Sequence, residues 1–471
     1  MEEDINKQNE VFRDSLGIID KSGKRNWVFP KRPKGSLHRT RVIVSWLLLT
    51  LLIIAPFIKK GDEPIFLFNV FDRKFIILGA IFGPHDFYIL LLGMISLVVF
   101  ILLFTAVYGR IFCGWICPQT VFMEMVFRKI EYWIEGDSKQ QQILKNSPDS
   151  FVKSFKKVFK QIIFFAVSVF IANILIAWMI GVDKLFLVVT ESPSVHLAGF
   201  VAMLSFSFIF YGIFSWFREY ACIYVCPYGR LQGVLLDSHS IVIAYDFVRG
   251  EPRGKIRKIQ VQNLGDCIDC KQCVEVCPTG IDIRNGTQLE CINCTACIDA
   301  CNFVMTKVNR PKGLIRYASL NQIKERTKFK ITTRMVGYSI VLFILLSVLS
   351  FLAFTRTGLD VNILRTPGLL SQEQSDDKIS NLYDIKITNK TFNDLPVSIK
   401  TKNGKGEIKI IGENLVARRQ QITETKFLLI LDEDDLKSTI STIALEVYAG
   451  DKLIKEVQTT FLGKLEEEDD K

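Results

Sequence analysis

The run Cys267-Ile-Asp-Cys270-Lys-Gln-Cys273-Val-Glu-Val-Cys277-Pro278, followed by Cys291-Ile-Asn-Cys294-Thr-Ala-Cys297-Ile-Asp-Ala-Cys301, decides how this chain is read. It gives the spacing C-x2-C-x2-C-x3-C twice. Two residues between thiolates let consecutive sulfurs face one cubane from a tight turn, and the fourth cysteine of each run ligates the other cluster. On that rule Cys267, Cys270, Cys273 and Cys301 hold one [4Fe–4S] cluster. Cys291, Cys294, Cys297 and Cys277 hold the second. The second run has Asn302 where Pro usually follows, a mild departure. Structural zinc is the competing use of such cysteines, but zinc sites seldom repeat this four-cysteine pattern. Clusters of this kind move single electrons. No Gly-rich fingerprint opens a βαβ unit here, so electrons are expected from another protein or from a membrane quinol.

Outward from this segment the chain is strongly apolar. Of 471 residues 49% are hydrophobic, with 36 Phe, yet 23% are charged, and mean hydropathy is +0.24. Charges must therefore be segregated from long apolar runs, which argues against a single soluble domain and against disorder. The opening MEEDINKQNE has no early apolar run, so a disulfide-stapled secreted protein with a cleavable signal is not expected. Five stretches are long enough to cross a bilayer: 42–58, 87–107, 162–181, 197–217 and 336–354. The stretch 65–84 is apolar but interrupted by Asp72, Arg73 and Lys74, and reads as an interfacial or re-entrant segment. Lys and Arg number ten in 1–41, nine in 108–161 and eighteen in 218–335, against four in 59–86 and one in 182–196. That asymmetry places the N-terminus and both cysteine-bearing loops in the cytoplasm, and five spans put the tail on the other side. The net charge of +10 is thus a record of orientation, and nucleic-acid binding is not expected.

The four remaining cysteines form a second repeat. One reads Arg110-Ile-Phe-Cys113-Gly-Trp-Ile-Cys117-Pro118, the other Arg218-Glu-Tyr-Ala-Cys222-Ile-Tyr-Val-Cys226-Pro227. Each closes a two-helix unit, so the membrane region looks duplicated. Spacing i, i+4 puts both thiols of a pair on one helical face. Soft thiolates select Cu(I), and a site preferring Cu(I) makes Cu(II) easier to reduce. A zinc ion, a dithiol relay or simple packing of helix ends are the other uses of these thiols. Met123 and Met125 are also soft donors, but at i, i+2 they do not share a face. His38, His85, His196 and His239 are scattered without metal-like spacing; His239 lies nearest the cytoplasmic chemistry.

Beyond residue 355 the pattern changes to short alternating stretches, such as Asp384-Ile-Lys-Ile-Thr and Ala444-Leu-Glu-Val-Tyr, separated by turns at Lys402-Asn-Gly-Lys-Gly and Ala449-Gly-Asp-Lys. About seven strands in about 100 residues suggest an immunoglobulin-type β-sandwich. This tail has no Cys, His, Met or Trp, so docking is its expected task. The basic Lys31-Arg32-Pro-Lys34 reads as a membrane-surface anchor and Glu466-Glu-Glu-Asp-Asp-Lys as a solvated tail.

The chain resembles the CcoG/FixG/RdxA cytochrome c oxidase accessory proteins. The residues that carry the resemblance are Cys113-Gly-Trp-Ile-Cys-Pro-Gln-Thr120, Cys222-x3-Cys-Pro-Tyr-Gly-Arg230, Tyr245-Asp-Phe-Val-Arg-Gly-Glu-Pro-Arg-Gly254 and Cys277-Pro-Thr-Gly-Ile-Asp-Ile-Arg-Asn-Gly286. The resemblance implies a bacterial inner-membrane protein with two [4Fe–4S] clusters that reduces Cu(II) to Cu(I) for assembly of cbb3-type oxidases. Oxidase subunits or copper-delivery proteins, and a cytoplasmic electron donor, would be its partners; self-association is left open. The expected fold class is an α-helical membrane protein with an inserted 2[4Fe–4S] ferredoxin-like domain and a C-terminal all-β sandwich. Its parts are a tail at 1–41, a four-helix region at 42–235, the ferredoxin-like domain at 236–335, a fifth helix at 336–355 and the sandwich at 356–471. Cys113, Cys117, Cys222 and Cys226 are the candidate copper or redox thiols. A quinol-oxidising membrane ferredoxin and a non-catalytic assembly scaffold are the alternative functions.

Overall fold

Five helices in the described residues are long and apolar enough to cross a membrane. They are α1 (Ser36–Ile54, prolonged by a 3₁₀ turn through Phe57), α2 (Phe87–Tyr108), α3 (Phe151–Ile180), α4 (Leu197–Gly212, continued by a π-turn through Phe217) and α5 (Thr333–Phe354). The structure, a computed structural model, describes residues 25, 27–60, 63–83, 86–255, 264–288, 290–326, 331–368, 371–374, 378–412, 415–419, 421–433 and 439–463, with Arg230 described by its backbone alone. His85 and the acidic run at 466–471 lie outside these residues.

Two helices begin earlier than hydropathy suggests, for different reasons. The polar first turn of α1 is held by Asp299, whose carboxylate accepts from the backbone N–H groups of Leu37 and His38 at 3.4 and 2.8 Å. That satisfies two of the unpaired donors at a helix start. Helix α3 starts with Ser150 accepting from the Lys153 N–H at 3.3 Å, and two of its lysines are then paired: Lys153 with Asp149 at 3.2 Å and Lys160 with Glu135 at 2.8 Å. At 30 residues this helix is about 45 Å long and outreaches the roughly 30 Å hydrocarbon core of a bilayer.

Contacts divide the chain into two compact units, Met1–Ile58 with Phe66–Asn69 and Leu91–Ser347, and Lys59–Ile65 with Val70–Leu90 and Val348–Lys471. In the first, Phe127, Phe164 and Phe214 are almost wholly buried, and the rings of Phe127 and Phe214 stack with centroids 4.8 Å apart. The cysteine-rich segment is closed by an antiparallel strand pair, Val242–Tyr245 with Ile315–Ala318. It contains the short helix Gln272–Glu275 and the longer helix Ala296–Lys307. Ile243, Ile281, Ile283, Met305 and Leu314 pack with the cysteines in one core.

In the second unit, part of the stretch expected to be interfacial or re-entrant forms a hairpin, Lys74–Ile77 with Ala80–Phe82. Leu78 and Gly79 have φ of 52° and 76°, the left-handed pair that a two-residue turn between twisted strands requires. The sandwich has nine strands among the described residues: β1 (Leu359–Arg365), β2 (Gln372–Gln374), β3 (Lys378–Asn389), β4 (Leu395–Thr401), β5 (Glu407–Ile411), β6 (Val416–Ala417), β7 (Ile422–Asp432), β8 (Ile440–Ala449) and β9 (Lys452–Leu462). One sheet runs β5-β7-β3-β1 with β2 beside β3, the other β6-β4-β8-β9. Tyr383, Phe427 and Phe461 are fully buried between them. The Tyr383 hydroxyl reaches the Thr460 carbonyl at 2.8 Å, so its one polar atom is satisfied.

Candidate functional site

The two cysteine runs fold so that their sulfurs face two small cavities of equal size, about 20 Å³ each. The first is lined by Cys267, Cys270, Cys273 and Cys301. The second is lined by Cys277, Cys291, Cys294 and Cys297, with Cys273 shared between the two. These are the crossed sets that the spacing predicts. All twelve cysteines are free thiols. Burial pushes the Cys301 thiol up to about 12, with Cys270 and Cys267 adding to the shift. Burial does the same to Cys291, also to about 12, with Cys277 and Cys294 as its sulfur neighbours. Among the described residues no three His, Cys, Asp or Glu side chains are gathered tightly enough to close on one metal ion. Each set of four thiols facing one cavity, a cysteine box, suits a cubane, as does the repeated spacing.

The membrane thiols form a third sulfur-lined cavity, of about 510 Å³. The expectation that each pair lies on one helical face does not hold. Cys113 lies in the short helix Ile111–Trp115 and Cys117 caps the next, Pro118–Val121. Cys222 lies in the π-turn Ala221–Val225 and Cys226 caps Pro227–Leu235. Each proline disfavours helix at the residue before it, so each pair straddles a break. The breaks match in detail: Cys117 N–H bonds to Phe112 O, and Cys226 N–H to Ala221 O, both at 2.9 Å and both five residues back. Such π-type closures recur at functional sites. The duplication read in the sequence is thus repeated in the backbone.

All four thiols and Met123 line this cavity, whereas Met125 does not. Gln232, fully buried, donates to Cys113 Sγ at 3.1 Å. Burial raises Cys113 to about 11, the Gln232 hydrogen bond opposing it. Cys222 is pushed up to about 12 by burial and then by its sulfur neighbours Cys117, Cys113 and Cys226. Arg110 Nη2 donates to the Gly229 carbonyl at 3.1 Å and Gln119 to that of Arg218 at 3.4 Å, tying the repeats together.

The thiol cavity and the second cysteine box share a wall, since Pro278, Thr279 and Ile292 line both. Gly114, next to Cys113, makes this approach possible. A Cβ there would lie 2.4 Å from the Ile292 carbonyl oxygen and 2.8 Å from that of Asn293. Arg41 Nε holds the same Gly114 through its carbonyl at 2.6 Å. Arg110 is buried beside Cys113 and Cys291 at once: burial lowers its guanidinium, while both sulfurs pull it back up.

Sequence reading missed three carboxylates of the thiol cavity: Glu290, and the pair Glu124 and Glu219. Arg128, 2% exposed, holds both, at 2.9 and 2.6 Å. Arg218 pairs with Glu131 through two bonds of 2.9 and 2.8 Å. The i, i+4 pairing of Glu124 with Arg128 was the available signal. Among the described histidines, His196 pairs with Glu191 at 2.8 Å and His239 lies beside Asn321; none lines a cysteine cavity.

Comparison with known proteins agrees with this geometry. A family model described as a "4Fe-4S dicluster domain" matches residues 217–320, and a "4Fe-4S binding domain" model matches 90–137. A model described as an "IG-like fold at C-terminal of FixG" matches 349–464. Protein RdxB of Cereibacter sphaeroides is 33% identical over 78% of this chain and 80% of its own length. Protein RdxA of the same organism is 31% identical over 79% and 81%. Nitrogen fixation protein FixG of Rhizobium meliloti is 36% identical over 63% of this chain and 58% of its own. A solved structure of a FixG-related protein from Vibrio parahaemolyticus matches 23% of this chain and 100% of its own at 22% identity, with a TM-score of 0.20. With its five apolar helices, its 4Fe–4S domains and its Ig-like tail, the chain belongs to the FixG/RdxA family of membrane iron–sulfur electron-transfer proteins.

Proposed function

We propose that this protein is a cupric reductase that supplies Cu(I) for assembly of cbb3-type cytochrome c oxidase. The observation that carries the proposal is the row of three sulfur-lined cavities joined by shared walls, ending at Cys113, Cys117, Cys222, Cys226 and Met123. Cys267, Cys270, Cys273 and Cys301 would hold one [4Fe–4S] cluster and Cys277, Cys291, Cys294 and Cys297 the other; when bound, such clusters carry single electrons. The chain's own contribution is positional. Cys273 and the Pro278, Thr279 and Ile292 wall keep the three cavities adjacent, and buried Arg110 places a positive charge between the last two. At the thiol cavity each Cu(II) takes one electron and leaves as Cu(I), the state soft sulfur donors favour. Electrons come from a one-electron donor in the cytoplasm, where the basic loops place the cysteines in an inner-membrane topology. Oxidase subunits or copper-delivery proteins receive the product, and the C-terminal sandwich is the docking domain.

Replacing Cys117 and Cys226 by Ser tests this. Cu(I) captured by a chelator after mixing reduced protein with Cu(II) should fall at least tenfold, with about eight irons per chain retained. Undiminished Cu(I) production would overturn the role of the thiols. A second reading, that the thiol cavity holds a third cluster, is favoured by the 4Fe-4S binding model matching 90–137, which contains Cys113 and Cys117. It requires about twelve irons per chain, falling to about eight in the same double variant.

A further inference from the structure

A cavity of about 500 Å³ lies at the polar end of α1, on the other side of Glu124 from the thiols. Four basic side chains line it, Arg32, His38, Arg41 and Lys129, together with Val42 and Trp133. Its one carboxylate, Glu124, is already paired with Arg128 at 2.9 Å. Among the described residues no ion pair joins Arg32, Arg41 or Lys129 to a carboxylate. Lys129 is held below its ordinary value by burial and then by the Arg32 guanidinium, so like charges are kept close together here. Three cations, Arg32, Arg41 and Lys129, against the single Glu124 carboxylate leave an excess of positive charge that favours an anion.

The surroundings say which anion. The pocket opens where α1 becomes a membrane span. Ile43, Trp46 and Leu47, which follow Val42 on that helix, are 61%, 56% and 64% exposed. Trp133 at the pocket is 72% exposed, and Lys129 Nζ sits 5.6 Å from the Trp46 ring centre. A tryptophan pair beside a basic pocket is the composition of a bilayer's headgroup level. A free anion would use the cations and leave this apolar row without a role; a phospholipid uses both, with its phosphate among the cations and its chains along α1.

We infer that this pocket is a binding site for the phosphate headgroup of an anionic phospholipid. The full chain, stripped of lipid in an uncharged detergent, is mixed with phosphatidylglycerol, phosphatidylcholine or inorganic phosphate, and bound ligand is read by native mass spectrometry. Phosphatidylglycerol should bind at least tenfold tighter than phosphatidylcholine. In the Arg32→Gln/Lys129→Gln variant its affinity should fall about thirtyfold, the conversion of about 1 kcal/mol for each charge lost. Lys129→Gln alone should lose about fivefold, which keeps the test available if the double variant misfolds. Equal binding of the two lipids, or an unchanged affinity in the variants, overturns the inference. So does full displacement of phosphatidylglycerol by inorganic phosphate at equal concentration, which would assign the pocket to a free anion.

Discussion

At the scale of single residues, Gly114 decides whether the thiol pair and the second cysteine box can touch. A methyl group there would meet two backbone carbonyl oxygens at 2.4 and 2.8 Å, and neither can swing aside as a side-chain end could. Gly114→Ala should therefore separate the segments, at a cost of about 1–3 kcal/mol in overpacking. Electron delivery from the clusters should slow at least tenfold, while iron content and Cu(I) binding at the thiols stay near wild type; parallel iron analysis and single-turnover kinetics check this. The sequence places this glycine inside a cysteine motif but does not give its reason, because the atoms it must avoid belong to Ile292 and Asn293, far along the chain. The eight ferredoxin cysteines were legible for a different reason: three of each set lie within a few residues of one another, and the repeated spacing marks the fourth, Cys301 or Cys277, in the other run. Glu124 and Glu219 fall between these cases. Their charges are visible in sequence, but Arg128, which makes them tolerable when buried, is joined to Glu219 only by folding.

At the scale of elements, the sequence located all five apolar helices and the β-rich tail, and erred where a third party fixes an end. Asp299 starts α1 from a different helix, and paired lysines carry α3 beyond its apolar run. The hairpin at 74–82 was missed because its strands are a continuous apolar run, Phe75-Ile-Ile-Leu and Ala80-Ile-Phe, without the alternation that marks a half-buried strand. In the same unit Asp86, 1% exposed, accepts from Arg356 and Lys390, each at 2.7 Å. Burial alone would push its carboxyl up, but the hydrogen bonds from Lys390 and Arg356 win and hold it below the ordinary carboxylate range. A carboxyl lowered in the folded state stabilises fully above its unfolded value and loses that contribution as pH falls through the folded one. Thermal scans of the full chain in detergent should show this unit losing stability between pH 5 and progressively lower values. Asp86→Asn, which leaves two cations without their charge partner, should cost about 3 kcal/mol at pH 7 and flatten that acid dependence. An unchanged acid profile in the variant would remove Asp86 from the account.

At the scale of the whole molecule, the twelve cysteines resolve into three sets of four, placed in sequence through shared walls. The composition that made the chain too apolar for a soluble ferredoxin is the five helices, two of which run into the cysteine pairs that build the third cavity. Under the proposed function, electrons would enter at the box with the exposed Cys270 and leave at the thiol cavity. The direct test is stopped-flow mixing of the anaerobically reduced full chain with Cu(II) or with a quinone, following cluster absorbance. The account predicts rapid cluster oxidation by Cu(II), one electron per copper, and slow oxidation by the quinone. Rapid oxidation by the quinone with clusters left reduced by Cu(II) would contradict it.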